Sequence, residues 1–205
     1  MTIAAGVIAA GGAGLLTLTN AFKPETIFDK EPHKLPYKKG DDDWKYSPLD
    51  PARTAELAYK YYSEGSCMYA TVKSIVSQLA EKIGEPYKSF PIHLFKYGHG
   101  GVGGYGSICG ALNGAAALIG LLITDKSVQD KMITDVFQWY EKEPLPQFNP
   151  QNPSFDYIPV RSISQSILCH AANTNWCKIS GFKVNSNERK ERCRRMTGDV
   201  VIKVT

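Results

Sequence analysis

The 205-residue chain lacks the short motifs that mark most small-protein chemistries. It has no Cys-x-x-Cys, which argues against a thioredoxin-like centre and a structural zinc ribbon, and no Cys-x-x-Cys-His for covalent attachment of a c-type haem. There is no His-Glu-x-x-His, and the four histidines, His33, His93, His99 and His170, supply no paired metal-ligand spacing. A Gly-x-Ser-x-Gly elbow is also missing, so a Ser/His/Asp hydrolase has no support. Excess charge is small: 24 basic and 20 acidic residues are interspersed for a net +4, which excludes the concentrated basic face of a nucleic-acid binder. The five cysteines are too few for a disulfide scaffold, and their odd number prevents complete pairing within the chain.

What is present reads as one globular domain with an N-terminal extension, 43% hydrophobic and 21% charged. Residues 1–22 hold no ionisable side chain and are rich in Gly and Ala. Their length suits the apolar core of an export signal better than a stable membrane anchor, although the usual basic flank is missing. An uncleaved membrane anchor, which would give an N-terminal membrane contact, and a buried N-terminal helix are the alternatives. Residues 23–49 turn to Pro, Lys, Asp and isolated aromatics with no period of 3.6 or 2, as in an extended arm.

From residue 50 to 205 helical signals dominate, and no run of alternation is long enough to build a sheet. The expected fold is all-α: a helical bundle around a central Gly/Ala-rich helix, with the extended N-terminal arm outside it. Asp50-Pro51 opens a first helix that stops at Gly65, and Ser66 caps a second that runs to Gly84. Cys67 falls in the first turn of that second helix, where free amides and the helix dipole favour a thiolate. Pro91 to Tyr97 reads as a short helix, followed by a glycine loop. Ser107 to Ile123 is apolar around most of its circumference, as a buried central helix would be. Asp125 to Glu143 is amphipathic and ended by Pro144 and Pro146; a Pro-rich crossing follows, then helices at Ala171 to Ser180 and Asn187 to Val204.

Gly101-Val102-Gly103-Gly104-Tyr105-Gly106 matches Gly-x-Gly-x-x-Gly, but no hydrophobic strand leads into it and no βαβ repeat follows. A tight helix entry is the better reading. Gly106, Gly110 and Gly114 recur every four residues and strip one helix side of Cβ atoms, so another backbone can approach closely, within this chain or across a dimer. Cys109 sits beside that stripe. The dispersed cysteines Cys67, Cys109, Cys169, Cys177 and Cys193 are open to three readings: buried small hydrophobes, disulfides, or ligands to a soft metal inside a bundle.

Several stretches resemble a family of redox-active proteins named for its cysteine pattern, a Cys, then GCAxxG, then two further Cys. They are Gly65 to Ala70, Gly103 to Ala115 around Cys109, Leu168-Cys169-His170 with Trp176-Cys177, and Glu191-Arg192-Cys193. Gly110 follows Cys109 where the pattern has Ala. The resemblance implies that Cys67, Cys109, Cys193 and one of Cys169 or Cys177 ligate an iron-sulfur cluster of the two-iron, two-sulfur type. It also implies a homodimer. Cys169 and Cys177 are eight residues apart, about 12 Å along a straight helix, so both reach one cluster only if the helix starts between them. Cys169 is favoured, with Cys177 as a spare ligand, a disulfide partner or a neighbouring thiol. Amides around Gly104, Gly106 and Gly110 are the expected cofactor-binding backbone.

The resulting expectation is an exported electron-transfer protein, rather than an enzyme, that works with a redox partner such as a cytochrome. One rival is a cofactor-free structural or interaction subunit with two disulfides; the other is a subunit binding haem non-covalently through His93, His99 or His170.

Overall fold

The computed structural model describes residues 44–205. The expected export segment, residues 1–22, and most of the 23–49 arm lie outside the described residues. Trp44 to Leu49 run without regular structure into the first helix.

That helix, α1 (Pro51–Ile83), starts where Asp50 accepts hydrogen bonds from the amides of Ala52 and Arg53 and Pro51 fills the first turn. It breaks where the sequence predicts. Gly65 leaves helical geometry and Ser66 takes φ of 65°, so the chain restarts as helix at Cys67. Only glycine fits at 65, because a Cβ there would sit 2.5 Å from the Tyr69 ring. After short 3₁₀ helices at Tyr87–Ser89 and Ile92–Gly98 comes the glycine loop, then α2 (Gly110–Leu122) and α3 (Lys126–Lys142), the latter capped by Asp125. A Pro-rich crossing contains β1 (Pro144–Leu145) and β2 (Ser162–Ile163), which pair antiparallel over two residues each. The chain then forms α4 (Cys169–Ser180) and α5 (Asn187–Val204).

The architecture is therefore all-α, with α2 packed against α1, α3 and α5 as the central helix. Its small residues are the reason. A Cβ on Gly114 would stand 3.0 Å from the Met68 carbonyl oxygen, and one on Gly110 would stand 2.4 Å from that of Gly98. The glycine stripe thus meets neighbours within the same chain. Two helix starts differ from the sequence reading. Helix α2 begins at Gly110 rather than Ser107, and α4 at Cys169 rather than Ala171, because backbone pairing holds both preceding segments extended.

Helix α5 is the larger surprise. Its sequence is dense in charge, yet Glu191, Arg192, Arg195 and Asp199 are buried where it packs along α1. The Glu191 carboxylate accepts from Tyr59 Oη at 2.8 Å and from Arg195 Nε at 2.8 Å. Asp199 accepts the amides of Gln147 at 2.9 Å and Phe148 at 2.6 Å, which ties the crossing to the helix. No described helix is long and apolar enough to cross a membrane.

Candidate metal centre

Four separate segments bring Cys67, Cys109, Cys169 and Cys193 into one region of the interior. Cys67, Cys109 and Cys193 are buried members of the same core cluster, and Cys169 is half-buried beside them. The Asn173 side chain links two of these thiols: its Nδ2 donates to Cys169 Sγ at 3.3 Å, and its Oδ1 accepts from Cys193 Sγ at 3.5 Å.

Local backbone structure explains the convergence. Residues 106–109 pair antiparallel with 167–170 through an isolated bridge, Ile108 to Leu168. The Cys109 amide donates to the Ile167 carbonyl at 2.8 Å and the Cys169 amide to the Ser107 carbonyl at 2.6 Å. Each cysteine then opens a helix, Cys109 as the N-cap of α2 and Cys169 as the first residue of α4. Cys67 likewise starts the second half of α1. Three of the four thiols therefore sit at helix N-termini, where unpaired amides favour negative sulfur. Cys193 lies deeper in α5 and is served instead by cations, with Arg189 Nη1 and Arg192 Nη1 each 3.9 Å from its sulfur.

Burial raises the affinity of these thiols for their protons. It pushes Cys67 far up, with the other three thiols adding to the effect, and the Gly100 amide pulls the other way. Burial also raises Cys109, against the Tyr140 hydroxyl and the Leu112 and Ala111 amides. Cys169 rises to about 12, through burial and then the proximity of Cys109 and Cys193. All five cysteines are free thiols. Metal binding here has to displace protons, as it does at any thiolate site.

Cys177 stands apart. It is half-buried eight residues along α4, and its carbonyl accepts the Gly181 amide that closes the helix. Since α4 runs unbroken from Cys169 to Ser180, the two thiols are about 12 Å apart along its axis. The glycines also divide. A Cβ on Gly110 would come within 2.5 Å of Cys67 Sγ, and one on Gly106 within 2.7 Å of His170 Cβ, whereas Gly104 is exposed with open space around it. Gly100 and Gly101, which the sequence reading did not single out, lie closer: Gly100 through its amide on Cys67, and Gly101 because a Cβ would meet Cys169 Cβ at 2.8 Å. Also missed were Arg189, Arg192 and Tyr140, whose positions beside the thiols have no signature in composition. His93, His99 and His170 are exposed, and His170 Nδ1 is held by the Gly106 carbonyl at 2.9 Å.

Among the described residues, no three or more His, Cys, Asp or Glu side chains stand close enough to hold a single metal ion. The donor set nevertheless fits a thiolate-ligated iron cluster: four soft sulfur donors, amides directed at them, and a buried guanidinium, that of Arg192, whose Nε and Nη2 find no hydrogen-bond partner among the described residues. Beside Cys109, the buried Tyr140 hydroxyl makes no well-formed hydrogen bond.

Comparison with known proteins agrees with the cysteine pattern. The split-Soret cytochrome c of Desulfovibrio desulfuricans is 38% identical over 165 residues, 78% of this chain and 58% of that protein, so the chain spans under two thirds of its relative's length. A solved structure, described as showing a novel iron centre in that cytochrome, matches with a TM-score of 0.73 at 37% identity, covering 78% of this chain and 68% of the other. Against the GCAxxG of the family's name, this chain departs at Ile108 and Asn113 as well as at Gly110. Residues 69–205 match the family model described as "Putative redox-active protein (C_GCAxxG_C_C)", and the chain belongs to that family.

Proposed function

We propose that this chain is an electron-transfer protein whose Cys67, Cys109, Cys169 and Cys193 hold an iron-sulfur cluster of the two-iron, two-sulfur type. The observation that carries the reading is the gathering of these four thiols from four segments beside Arg192, a buried cation that makes no salt bridge among the described residues. The iron centre described for the split-Soret cytochrome c supports the same metal. When bound, the cluster supplies one-electron chemistry. The protein's own part is to bury it, to direct the Gly100 amide at Cys67, and to set Arg189 and Arg192 against Cys193. The remaining features of the reading are export through residues 1–22, a homodimer and a partner such as a cytochrome. Cys177 is the spare thiol.

Anaerobic purification tests the reading. Brown protein with about two irons and two acid-labile sulfides per chain is expected, and Cys109→Ser should abolish both. Colourless protein with four cysteines oxidised would establish the disulfide module instead, and a sharp Soret band would establish haem. Stoichiometric iron retained in Cys109→Ser would overturn the ligand assignment.

A further inference from the structure

We propose that Arg192 is the fixed counter-cation of the thiolate site, and that the Tyr140 hydroxyl completes it as a hydrogen-bond donor to Cys109. The inference rests on the cluster reading above and adds what sets the charge state that the site prefers. The Arg192 side chain is 0% exposed, and its Nε and Nη2 have no hydrogen-bond partner among the described residues. The one polar contact it makes there is Nη1 to Cys193 Sγ, at 3.9 Å. The neighbouring carboxylates on α5 are already engaged: Glu191 by Tyr59 and Arg195, and Asp199 by the Gln147 and Phe148 amides.

A buried, unpaired guanidinium costs several kcal/mol, and removing its counter-charge exposes that cost in full. The groups around it are Cys193, Tyr140 and Cys109, with the Asp199 carboxylate farther off, beyond salt-bridge distance but near enough to feel its charge. Tyr140 repeats the pattern: it is 0% exposed, and its hydroxyl faces Cys109 and Ser164 without a well-formed bond. A thiolate at 109 gives that O–H a charged acceptor, which a neutral thiol does not.

The consequence is a change of sign. With neutral thiols and no iron, Arg192 has only the more distant Asp199 carboxylate to offset its charge, and its burial destabilises the fold. With four thiolates holding iron, it is the neutralising charge and stabilises the fold. Reduction adds one electron to the site, so a fixed positive charge also favours the reduced form. No bond forms or breaks at Arg192 in that step, and dithionite supplies the electron in the test.

The experiment compares wild type, Arg192→Met, Arg192→Lys and Tyr140→Phe, each reduced and iron-free and each reconstituted anaerobically with iron and sulfide. Arg192→Met should raise the thermal midpoint of the iron-free protein, lower that of the loaded protein, and shift the midpoint potential negative. Arg192→Lys keeps the charge and should recover most of the potential, with Tyr140→Phe giving a smaller negative shift. Should Arg192→Met move both thermal midpoints in the same direction and leave the potential where it was, the counter-cation role falls while the cluster stands. If wild type takes up no iron, the cluster reading itself fails and this inference falls with it.

Discussion

Helices α1, α2 and α5 feed two cores of opposite character. One is aliphatic, built from Leu49, Val72, Ile75, Val76, Leu79, Leu118 and Val201, and the buried polar groups beside it are paired apart from Ser77 Oγ. Gln78 Nε2 donates to Thr54 Oγ1 at 2.9 Å and to the Ser74 carbonyl at 2.7 Å, and Tyr87 Oη donates to the Lys45 carbonyl at 2.7 Å. The other holds Cys67, Cys109 and Cys193, and around it Tyr140, Ser162, Ser164 and Arg192 keep buried polar atoms unpartnered. Native interiors leave few such atoms unpaired, and each costs about 1–3 kcal/mol. Apart from Ser77, the first core is complete from its own residues. The second keeps buried polar atoms that four neutral thiols do not satisfy, and in the proposed reading that difference separates the stabilising half of the domain from the working half.

The comparison breaks most sharply if the two cores respond alike to truncation. Leu79 is 0% exposed in the aliphatic core, so Leu79→Ala should cost about 2–5 kcal/mol in chemical denaturation. Iron per folded chain should be unchanged. Cys109→Ser should do the reverse, losing the iron while destabilising the iron-free protein by less than Leu79→Ala does. Equal iron loss in both variants would mean that the cores are one cooperative unit with no division of labour.

Gly110→Ala comes next, because it strikes the seam between the glycine loop and the thiols. The added Cβ would lie 2.4 Å from the Gly98 carbonyl oxygen and 2.5 Å from Cys67 Sγ, and the first of these is backbone that cannot swing aside. Overpacking of this kind costs about 1–3 kcal/mol, and the displaced Cys67 should lower iron content as well. Alanine is what the family's name places after its second cysteine, so Cys67 here occupies space that a methyl group fills in that pattern. Full iron content in Gly110→Ala would show that the contact is slack.

Much of this division is legible in the sequence, for reasons that are local. The start at Asp50-Pro51 and the break at Gly65 are short-range events, and each falls where the residues predict. The central place of α2 follows from its apolar circumference. The start of α4 was not legible, because Cys169 is fixed by pairing with Ser107, 62 residues away in sequence, and no local signal encodes that bridge. Nor was the burial of α5. Asn-Glu-Arg-Lys-Glu-Arg-Cys-Arg-Arg reads as a solvated face, and only the tertiary partners Tyr59, Asn149 and the thiols give those charges reason to be inside. The spacing of Glu191 and Arg195 was the one available hint.

Asp199 offers a smaller and graded test on the polar border of the aliphatic core. Burial raises its carboxyl to about 6, against the opposing pull of the Gln147 and Phe148 amides. The unfolded chain ionises near 4, so between those pH values the folded protein binds a proton that the unfolded chain lacks. Stability from this group is therefore present below about pH 4 and lost as pH rises through 6, with a slope of at most about 1.4 kcal/mol per pH unit. Denaturation of wild type and Asp199→Asn between pH 4 and 7 should show that slope in the difference between them, with iron content unaffected. A flat difference would mean that Asp199 is charged throughout, held by its two amide donors.

The smallest expected effect is the most pointed, because it compares two identical side chains on one helix. Cys169 and Cys177 both lie in α4, and the distance between them, about 12 Å, puts them on opposite sides of the division. Cys169 is bonded to Asn173 within the thiol group, whereas the structural contribution of Cys177 is its backbone carbonyl, which accepts the Gly181 amide at 2.9 Å and survives any substitution of the side chain. Cys177→Ala should therefore leave iron per chain and the potential unchanged and move stability by no more than about 0.5 kcal/mol. Cys169→Ala should remove the iron. If Cys177→Ala lost iron instead, the helix would have to unwind between residues 169 and 177 in the loaded protein, and the boundary drawn through α4 would move to its far end.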